Sequence, residues 1–177
     1  MNVDFRVRQV EGYSDLMMLR RFLHEHDLGY VGYHDWIESI CIPEIEKGDK
    51  SAVIALHDER IIGNIVWQHH KELPKTVEVK NLRIHPMSRE RGLAYFLMKQ
   101  CEAEIRNEVD VMIADFPSNQ TSTSLFLLNY GFSQKLWIFC QLLFNNGYKI
   151  LRAFLPAEIF GPMNTAFFQF PPGFFVC

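Results

Sequence analysis

Short runs of apolar residues, some alternating with polar ones and some uninterrupted, predict a series of β-strands. Val3, Phe5 and Val7 alternate with polar neighbours, as in a half-buried strand. The predicted strands are residues 3–7, 52–56, 61–67, 76–84, 109–114, 136–144 and 148–155. His57–Arg60 and Asn145–Gly147 have the composition of hairpin turns, so we expect the strands that flank them to pair antiparallel.

Apolar residues at three- and four-residue spacing predict helices between these strands. Leu16, Leu19 and Leu23 fall on one face of a helix that begins at Asp15 and that Ser14 can cap. Two further predicted helices are residues 35–41, which Pro43 ends, and residues 89–106. A last helix should be capped by Ser118 or Asn119 and should end at Gly131, which takes a left-handed conformation.

The order of these elements, β-α-α-β-β-β-α-β-α-β-β, predicts an α/β chain of the α+β type. Because helices interrupt the strands without strict alternation, we expect one mixed, mostly antiparallel, twisted sheet with helices on both faces. The strand–helix–strand unit at residues 76–114 should supply a local parallel pair. A length of 177 residues fits a single domain.

Composition excludes several classes of protein. Hydrophobic residues make up 48% of the chain and charged residues 22%, which excludes a disordered chain. The net charge of −3 argues against a nucleic-acid binder. No segment resembles a signal peptide or a membrane span. The four cysteines are far apart and include no C-x-x-C pair, so we expect reduced thiols and a cytoplasmic location.

The last forty residues have an unusual composition. From Ile138 to Cys177 there are ten aromatic residues and only three charged ones. We expect residues 156–177 to form an aromatic extension that packs on its own domain or on a partner subunit in a homodimer, because exposed aromatic patches are uncommon on monomers. Membrane association is the weakest alternative, since no basic flank accompanies the aromatics.

The segment Asn81–Ala94 has the features of an anion site. A strand ends at Pro86, a short loop follows, and a helix begins with Arg-x-x-Gly-x-Ala at residues 89–94. The first amides of a helix lack internal partners and carry the positive end of the helix dipole, and Gly92 lets a phosphate approach the backbone. Four Arg or Lys against one Glu make Arg83–Lys99 locally basic. Taken alone, the pattern also fits a helix start with an incidental glycine.

In this context the segment resembles motif A of the GNAT superfamily of acetyl-CoA-dependent N-acetyltransferases, whose signature is Arg/Gln-x-x-Gly-x-Gly/Ala. Leu82-x-Ile84-x-Pro86 resembles the strand that leads into that motif, and residues 128–132, Leu-Asn-Tyr-Gly-Phe, resemble the usual helix ending at Gly-Phe. The resemblance covers residues 3–155 and defines a GNAT-like domain at residues 1–155.

The resemblance implies acetyl-CoA as co-substrate, without a metal. The main chain of Arg83 and Ile84 should pair with the pantetheine arm like an added strand. An amide within Leu82–Ile84 should polarise the acetyl carbonyl. The implied coenzyme-binding residues are Leu82, Arg83, Ile84, Arg89, Glu90, Arg91, Gly92, Leu93, Ala94 and Asn119. For Asn119, which follows the fifth strand, capping of the next helix is the alternative.

Glu78 is the candidate general base. An alkyl ammonium has a pKa near about 10.4 and must lose a proton before it attacks a thioester. Glu78 lies fourteen positions before Gly92, a spacing at which histone-type GNAT members have a catalytic glutamate. Regular strand alternation places Glu78 on one face with Lys80 and Leu82. The alternative is an exposed strand glutamate paired with a neighbouring lysine.

Leu127 departs from the family pattern. Many GNAT enzymes have a tyrosine four residues before the Gly of the Gly-Phe ending, where it protonates the departing thiolate, but this chain has Leu127 there. Tyr130 is near in sequence, but helical geometry turns it away from that position. The resemblance therefore implies no general acid, and water is left to protonate the thiolate.

The acceptor site is implied by the stretch after the first helix. Tyr30, Tyr33 and His34 are candidates for a wall of the acceptor pocket, with ordinary surface as the alternative. His24 and His26 lie two positions apart and should face different ways on a helix, so no metal site is expected.

Three functions are compatible with these features. The first is acetyl transfer from acetyl-CoA to a primary amine of a small molecule or peptide, by direct attack. The second is a catalytically weak acyl-CoA-binding sensor. The third is an interaction module that uses the aromatic C-terminus.

Overall fold

The computed structural model describes residues 5–27, 29, 31–106, 108–116, 120–132 and 148–153. The strands are β1 Arg6–Gln9, β2 Ser51–His57, β3 Arg60–His69, β4 Thr76–Ile84, β5 Val111–Phe116 and β6 Tyr148–Ala153. The helices are α1 Gly12–Glu25, α2 Tyr33–Trp36, α3 Ile42–Lys47, α4 Leu93–Ile105 and α5 Thr121–Tyr130. A π-helical turn, Ile37–Cys41, joins α2 to α3, and a 3₁₀ turn, Pro86–Ser88, follows β4. The predicted strand at residues 136–144, its hairpin turn and the aromatic extension lie outside the described residues.

The described strands form one mixed sheet in the order β1-β2-β3-β4-β5-β6. The β4–β5 pair is parallel, with α4 as the crossover, and each of the other neighbouring pairs is antiparallel. The predicted fold class is confirmed, including the local parallel pair within residues 76–114. The turn between β2 and β3 is also confirmed, because Asp58 and Glu59 both have the positive φ of a tight hairpin.

Two apolar cores lie on opposite faces of this sheet. On one face, α1 to α3 bury a cluster that includes Leu19, Leu23 and Ile37 against β2 and β3. On the other face, α4 and α5 bury a cluster that includes Leu97 and Met98 against β2 to β5. The prediction of helices on both faces is therefore confirmed. No helix within the described ranges is both long and apolar enough to cross a bilayer.

The predicted capping of α1 by Ser14 is wrong. The helix begins at Gly12 with Glu11 at the N-cap, and no side chain caps it from that position. Asp15 is buried inside the first turn instead, where its carboxylate accepts from the Glu11 amide at 3.1 Å and from Arg8 Nη2 at 2.8 Å. The buried Asp15 carboxylate, which also pairs with the partly exposed Arg8, therefore has the role that the sequence analysis assigned to a serine cap.

Pro43 does not end the second helical region, contrary to the sequence prediction. The chain passes through the π turn, in which the Ile42 amide donates to the Ile37 carbonyl, and α3 then continues to Lys47. Proline is tolerated in the first turn of a helix because its missing N–H needs no partner there. The turn thus places Pro43 at the start of a new helix.

The two later helices both begin after their predicted first residues. Glu90 and Gly92 have φ values of +61° and +77°, so a right-handed helix starts only at Leu93. The start of α5 is Thr121, with Gln120 at its N-cap. The predicted left-handed cap at Gly131 is confirmed, and the amide of Phe132 donates back to the Leu127 carbonyl at 2.9 Å.

Candidate active site

The site begins where β4 and β5 stop pairing. Their paired residues run from Thr76 and Val111 to Val79 and Ala114. Strand β4 continues to Ile84 along β3, while β5 continues along β6. Over residues 80–84, the β5-side edge of β4 therefore has no strand partner among the described residues. Backbone N–H and C=O groups at such an edge can bind an extended ligand as an added strand.

A β-bulge lies at the point of divergence. Trp67 pairs with Val79 and its neighbour Val66 pairs with Asn81, so Lys80 is an extra residue on β4. The bulge reverses the alternation of side chains along the rest of the strand.

The bulge corrects one prediction about Glu78. Val79 belongs to the core under α4, and Leu82 and Ile84 pack against that same core. Glu78 instead accepts from Gln68 on the face covered by α1 to α3, so it does not share a face with Leu82. The predicted proximity of Glu78 to Lys80 is present, because their side chains contact each other.

The loop before α4 is open around Gly92. Gly92 has φ +77°, and a Cβ at that position would meet no atom within 4 Å. Phe96 donates the first helical hydrogen bond to the Gly92 carbonyl, so the preceding amides have no helical acceptor. Arg89 and Arg91 are exposed beside them. The exposed amides, the free space and the positive charge fit a phosphate group.

Gly63 brings the end of β4 close to the start of α4, a role that the sequence analysis missed. A Cβ there would lie 2.9 Å from Ile84 Cδ1 and 3.2 Å from Leu93 Cδ2. The only signal in the sequence is a glycine inside an otherwise apolar strand, which often marks a close approach of neighbouring atoms.

Glu78 lies one residue before Val79, which forms the last β4–β5 pair, and Glu78 is only 7% exposed. Lys80 Nζ is 2.6 Å from Glu78 Oε1, and Gln68 donates from Nε2 to Oε2 at 3.5 Å. The alternative of an exposed glutamate is wrong, although the pairing with a neighbouring lysine is present. Each oxygen of the buried carboxylate therefore has a neighbour, Lys80 beside Oε1 and Gln68 beside Oε2.

The predicted acceptor residues have different environments. Tyr33 is buried, its hydroxyl accepts from Asn81 Nδ2 at 3.0 Å, and burial raises the pKa of Tyr33 to about 12. His34 is exposed, with its Nε2 3.2 Å from Asp27 Oδ2. Tyr30 lies outside the described residues. Asn81 therefore connects the α2 helix to the open part of β4.

The histidines near α1 point in different directions, as predicted. The Nδ1 atoms of His24 and His34 are 2.6 Å apart, whereas the His26 ring packs edge-on against His85. Burial lowers the pKa of His26, and electrostatic interactions with His85 and Arg83 lower it further. Within the part of the chain that the structure describes, no group of three or more His, Cys, Asp or Glu side chains is arranged to hold a metal ion.

The remaining predicted residues are placed as follows. Leu127 is buried in the core under α4, and the ring of Tyr130 packs in the same core 5.0 Å from the Tyr95 ring. Asn119 lies outside the described residues. Cys41 and Cys101 are buried free thiols, and burial raises the pKa of Cys41 to about 12 and that of Cys101 further still.

Comparison with known proteins identifies the family. The model of the Acetyltransferase (GNAT) family matches residues 12–132, which is most of the chain, so the protein belongs to the GNAT acetyltransferase family. A search of curated proteins finds no significant match.

Solved structures of GNAT proteins have the same fold. A GNAT-family protein from Desulfovibrio desulfuricans aligns with a TM-score of 0.72 at 13% identity, over 86% of this chain and 100% of that one. PaiA N-acetyltransferase from Thermoplasma acidophilum, in complex with coenzyme A, aligns with a TM-score of 0.65 at 13% identity. The alignment covers 85% of this chain and 99% of that one. Arabidopsis thaliana NAA60, in complex with a bisubstrate analogue, aligns with a TM-score of 0.66 at 14% identity. The alignment covers 85% of this chain and 98% of that one.

Proposed function

We propose that this acetyltransferase moves an acetyl group from acetyl-CoA to a primary amine of a small molecule or peptide, by direct attack. The observation that carries the proposal is the divergence of β4 from β5 beside the open loop at Gly92. An unpaired strand edge next to an open loop at the start of a helix suits a ligand with an extended amide arm and a pyrophosphate. The PaiA structure from Thermoplasma acidophilum, which contains coenzyme A, supports the same donor.

The backbone from residue 82 to residue 94 supplies the donor site in this proposal. The edge of Leu82, Arg83 and Ile84 binds the pantetheine arm, and residues 89–94 bind the pyrophosphate. Acetyl-CoA supplies the activated acyl group. A backbone N–H of the exposed edge stabilises the negative charge that develops on the acetyl oxygen, and a fixed donor does this without reorganisation.

Glu78 accepts the proton of the attacking amine in this mechanism. Its Oε1 atom already lies beside an ammonium group, that of Lys80, so the same oxygen can bind the ammonium group of an acceptor. Leu127 carries no proton to donate, so water protonates the departing thiolate. The raised pKa values of Cys41 and Cys101 argue against either thiol as a nucleophile and favour direct attack.

The acceptor pocket is proposed at the α1–α2 connection, with Tyr30, Tyr33 and His34 in its wall. We also propose a cytoplasmic location, which the free thiols of Cys41 and Cys101 support, and no role in nucleic-acid binding, which the net charge supports. The aromatic extension, residues 156–177, is proposed to pack on the domain or on a second subunit.

A weak sensor of acyl-CoA is the second candidate, because the buried Leu127 leaves the tyrosine position without an acid. Thermal denaturation with acetyl-CoA tests the donor site, since a ligand of the folded state raises Tm. Release of free thiol with lysine, spermidine, an aminoglycoside and a peptide N-terminus then separates enzyme from sensor. A Tm shift without amine-dependent thiol release supports the sensor, and no Tm shift at saturating acetyl-CoA contradicts both.

Glu78→Gln tests the base. The variant should transfer acetyl groups more slowly and recover in part at high pH, where the amine is deprotonated in solution, with little change in coenzyme affinity. A pH–rate profile identical to that of the wild type would remove Glu78 from the mechanism.

A further inference from the structure

A row of polar side chains runs beneath α3 to Glu78. Lys50 lies one residue before β2, and its side chain is only 3% exposed. Its ammonium group donates to Glu44 Oε2 and to Gln68 Oε1. Gln68 on β3 is itself buried and donates from Nε2 to Glu78 Oε2. The row therefore connects a buried positive charge to the carboxylate of the candidate base.

Lys50 determines which way the Gln68 amide faces. An ammonium group can only donate, whereas a glutamine amide has a carbonyl that accepts and an NH₂ group that donates. Because the Lys50 ammonium group donates to the Gln68 carbonyl oxygen, the NH₂ group of Gln68 must face Glu78. With Oε2 bound in this way, the other carboxylate oxygen, Oε1, is left toward Lys80, whose side chain is 27% exposed.

We propose that Lys50, acting through Gln68, is a positioning residue that keeps the Glu78 carboxylate turned toward the open edge of β4. The proposal deepens the proposed function and rests on it only for the catalytic consequence. Neither Lys50 nor Gln68 belongs to a sequence motif of the site, and each lies on a different strand or loop from Glu78.

The charges around the row determine the sign of the effect. Lys80 on β4 and Lys50 before β2 favour the carboxylate, while Glu44 on α3 opposes them. Glu44 is more hydrated than Lys50, because its side chain is 26% exposed, so its field is screened more. Lys47 and Lys71 help to lower the pKa of Glu44, and the Cys41 thiol beside Lys50 is neutral because of its raised pKa.

Loss of Lys50 should therefore destabilise ionised Glu78 in two ways. The nearest buried positive charge disappears, and the freed Gln68 amide can turn its carbonyl oxygen toward the carboxylate. Both changes disfavour the charged form, so protonation of Glu78 should occur at higher pH.

The test is a ¹³C NMR titration of glutamate side-chain carboxyl groups, with the Glu78 signal assigned by its absence in Glu78→Gln. In Lys50→Met the titration midpoint of Glu78 should rise by about half a pH unit to one pH unit. An adjacent opposite charge shifts the pKa of a carboxyl group by about 1–3 units, and Lys50 is separated from Glu78 by the Gln68 side chain. Lys50→Arg, which keeps the charge, and Lys47→Met, on the exposed surface of α3, should leave the midpoint unchanged. An unchanged midpoint in folded Lys50→Met overturns the proposal.

Gln68→Met gives a second test if Lys50→Met fails to fold, because it keeps the Lys50–Glu44 pair and breaks only the link. Its Glu78 midpoint should also rise, and an unchanged midpoint overturns the proposal. With an amine that the panel selects, the acidic limb of the pH–rate profile for kcat should move to higher pH together with the Glu78 midpoint, while KM for acetyl-CoA stays the same, a split that general loss of structure does not produce. If the midpoint rises but the pH–rate profile does not follow, the positioning is supported and Glu78 is removed as the base.

Discussion

Substitution of Gly92 gives the most direct test of the donor site. The residue has φ +77°, so any other L-residue there costs about 1–2 kcal/mol of backbone strain, or a Tm lower by about 2–8 °C in a chain of this size. Its Cβ would point into free space, so Gly92→Gln and Gly92→Glu differ only in a charge placed where the pyrophosphate is proposed. At about 4 Å, one like-charge pair costs between about 1 kcal/mol in water and about 4 kcal/mol near a protein surface.

Isothermal titration with coenzyme A measures the consequence. If the added charge costs about 2 kcal/mol, Gly92→Glu should bind coenzyme A about thirtyfold more weakly than Gly92→Gln does. High salt should reduce this difference in affinity, because it screens the repulsion. Gly48→Ala is the matched control, because Gly48 has φ +83° and free space at its Cβ but caps α3 on the other face of the sheet. It should lose comparable stability and keep full affinity. Equal affinities for the Glu and Gln variants would refute the assignment of the loop.

Three further predictions concern stability. Gly63→Ala places a Cβ 3.2 Å from the Arg83 carbonyl oxygen, which is fixed in the strand, as well as 2.9 Å from Ile84 Cδ1, so calorimetry should show a loss of about 1–3 kcal/mol, and an unchanged Tm would contradict the close approach. Asp15→Ala leaves Arg8 and the first turn of α1 without their acceptor, so urea denaturation should show a loss of about 1–3 kcal/mol, whereas wild-type stability would contradict the capping role. The pKa of His26 is lowered in the folded protein, so as pH falls the unfolded chain binds a proton at this residue before the folded one does. The wild type should therefore lose stability relative to His26→Gln as pH falls through 6.5. A stability difference between the two proteins that does not change with pH would contradict this.

Local sequence signals predicted most of the sheet. Strand β4 was predicted at its observed bounds, because a β-rich run is stopped by Pro86, and the turn at residues 57–60 was clear because polar residues separate two apolar runs. The loop before α4 was predicted as an anion site from equally local signals, since glycine and arginine have local effects on the backbone and on charge, and that assignment stays a prediction. Its family-specific meaning came from the resemblance.

The features that were missed depend on contacts between distant segments. The bulge at Lys80 leaves no mark in composition, because residues on both sides of it suit either face of a strand. Lys50 follows Gly-Asp and resembles an exposed loop residue, yet Glu44 and Gln68 enclose it. The start of α1 was misplaced because the buried Asp15 carboxylate, which accepts from the Glu11 amide and from Arg8, replaces a serine cap, and the sequence does not reveal these contacts.

The bulge also has a consequence for how this protein tolerates insertions and deletions. Removing Lys80 would restore regular two-residue alternation without changing a partner, because Val79 and Asn81 already pair with the neighbouring residues Trp67 and Val66. Leu82 and Ile84 would keep their places against the core under α4. A one-residue deletion at Lys80 should therefore be tolerated better than a deletion in a regularly alternating part of the strand, which would turn the side chains beyond it to the opposite face.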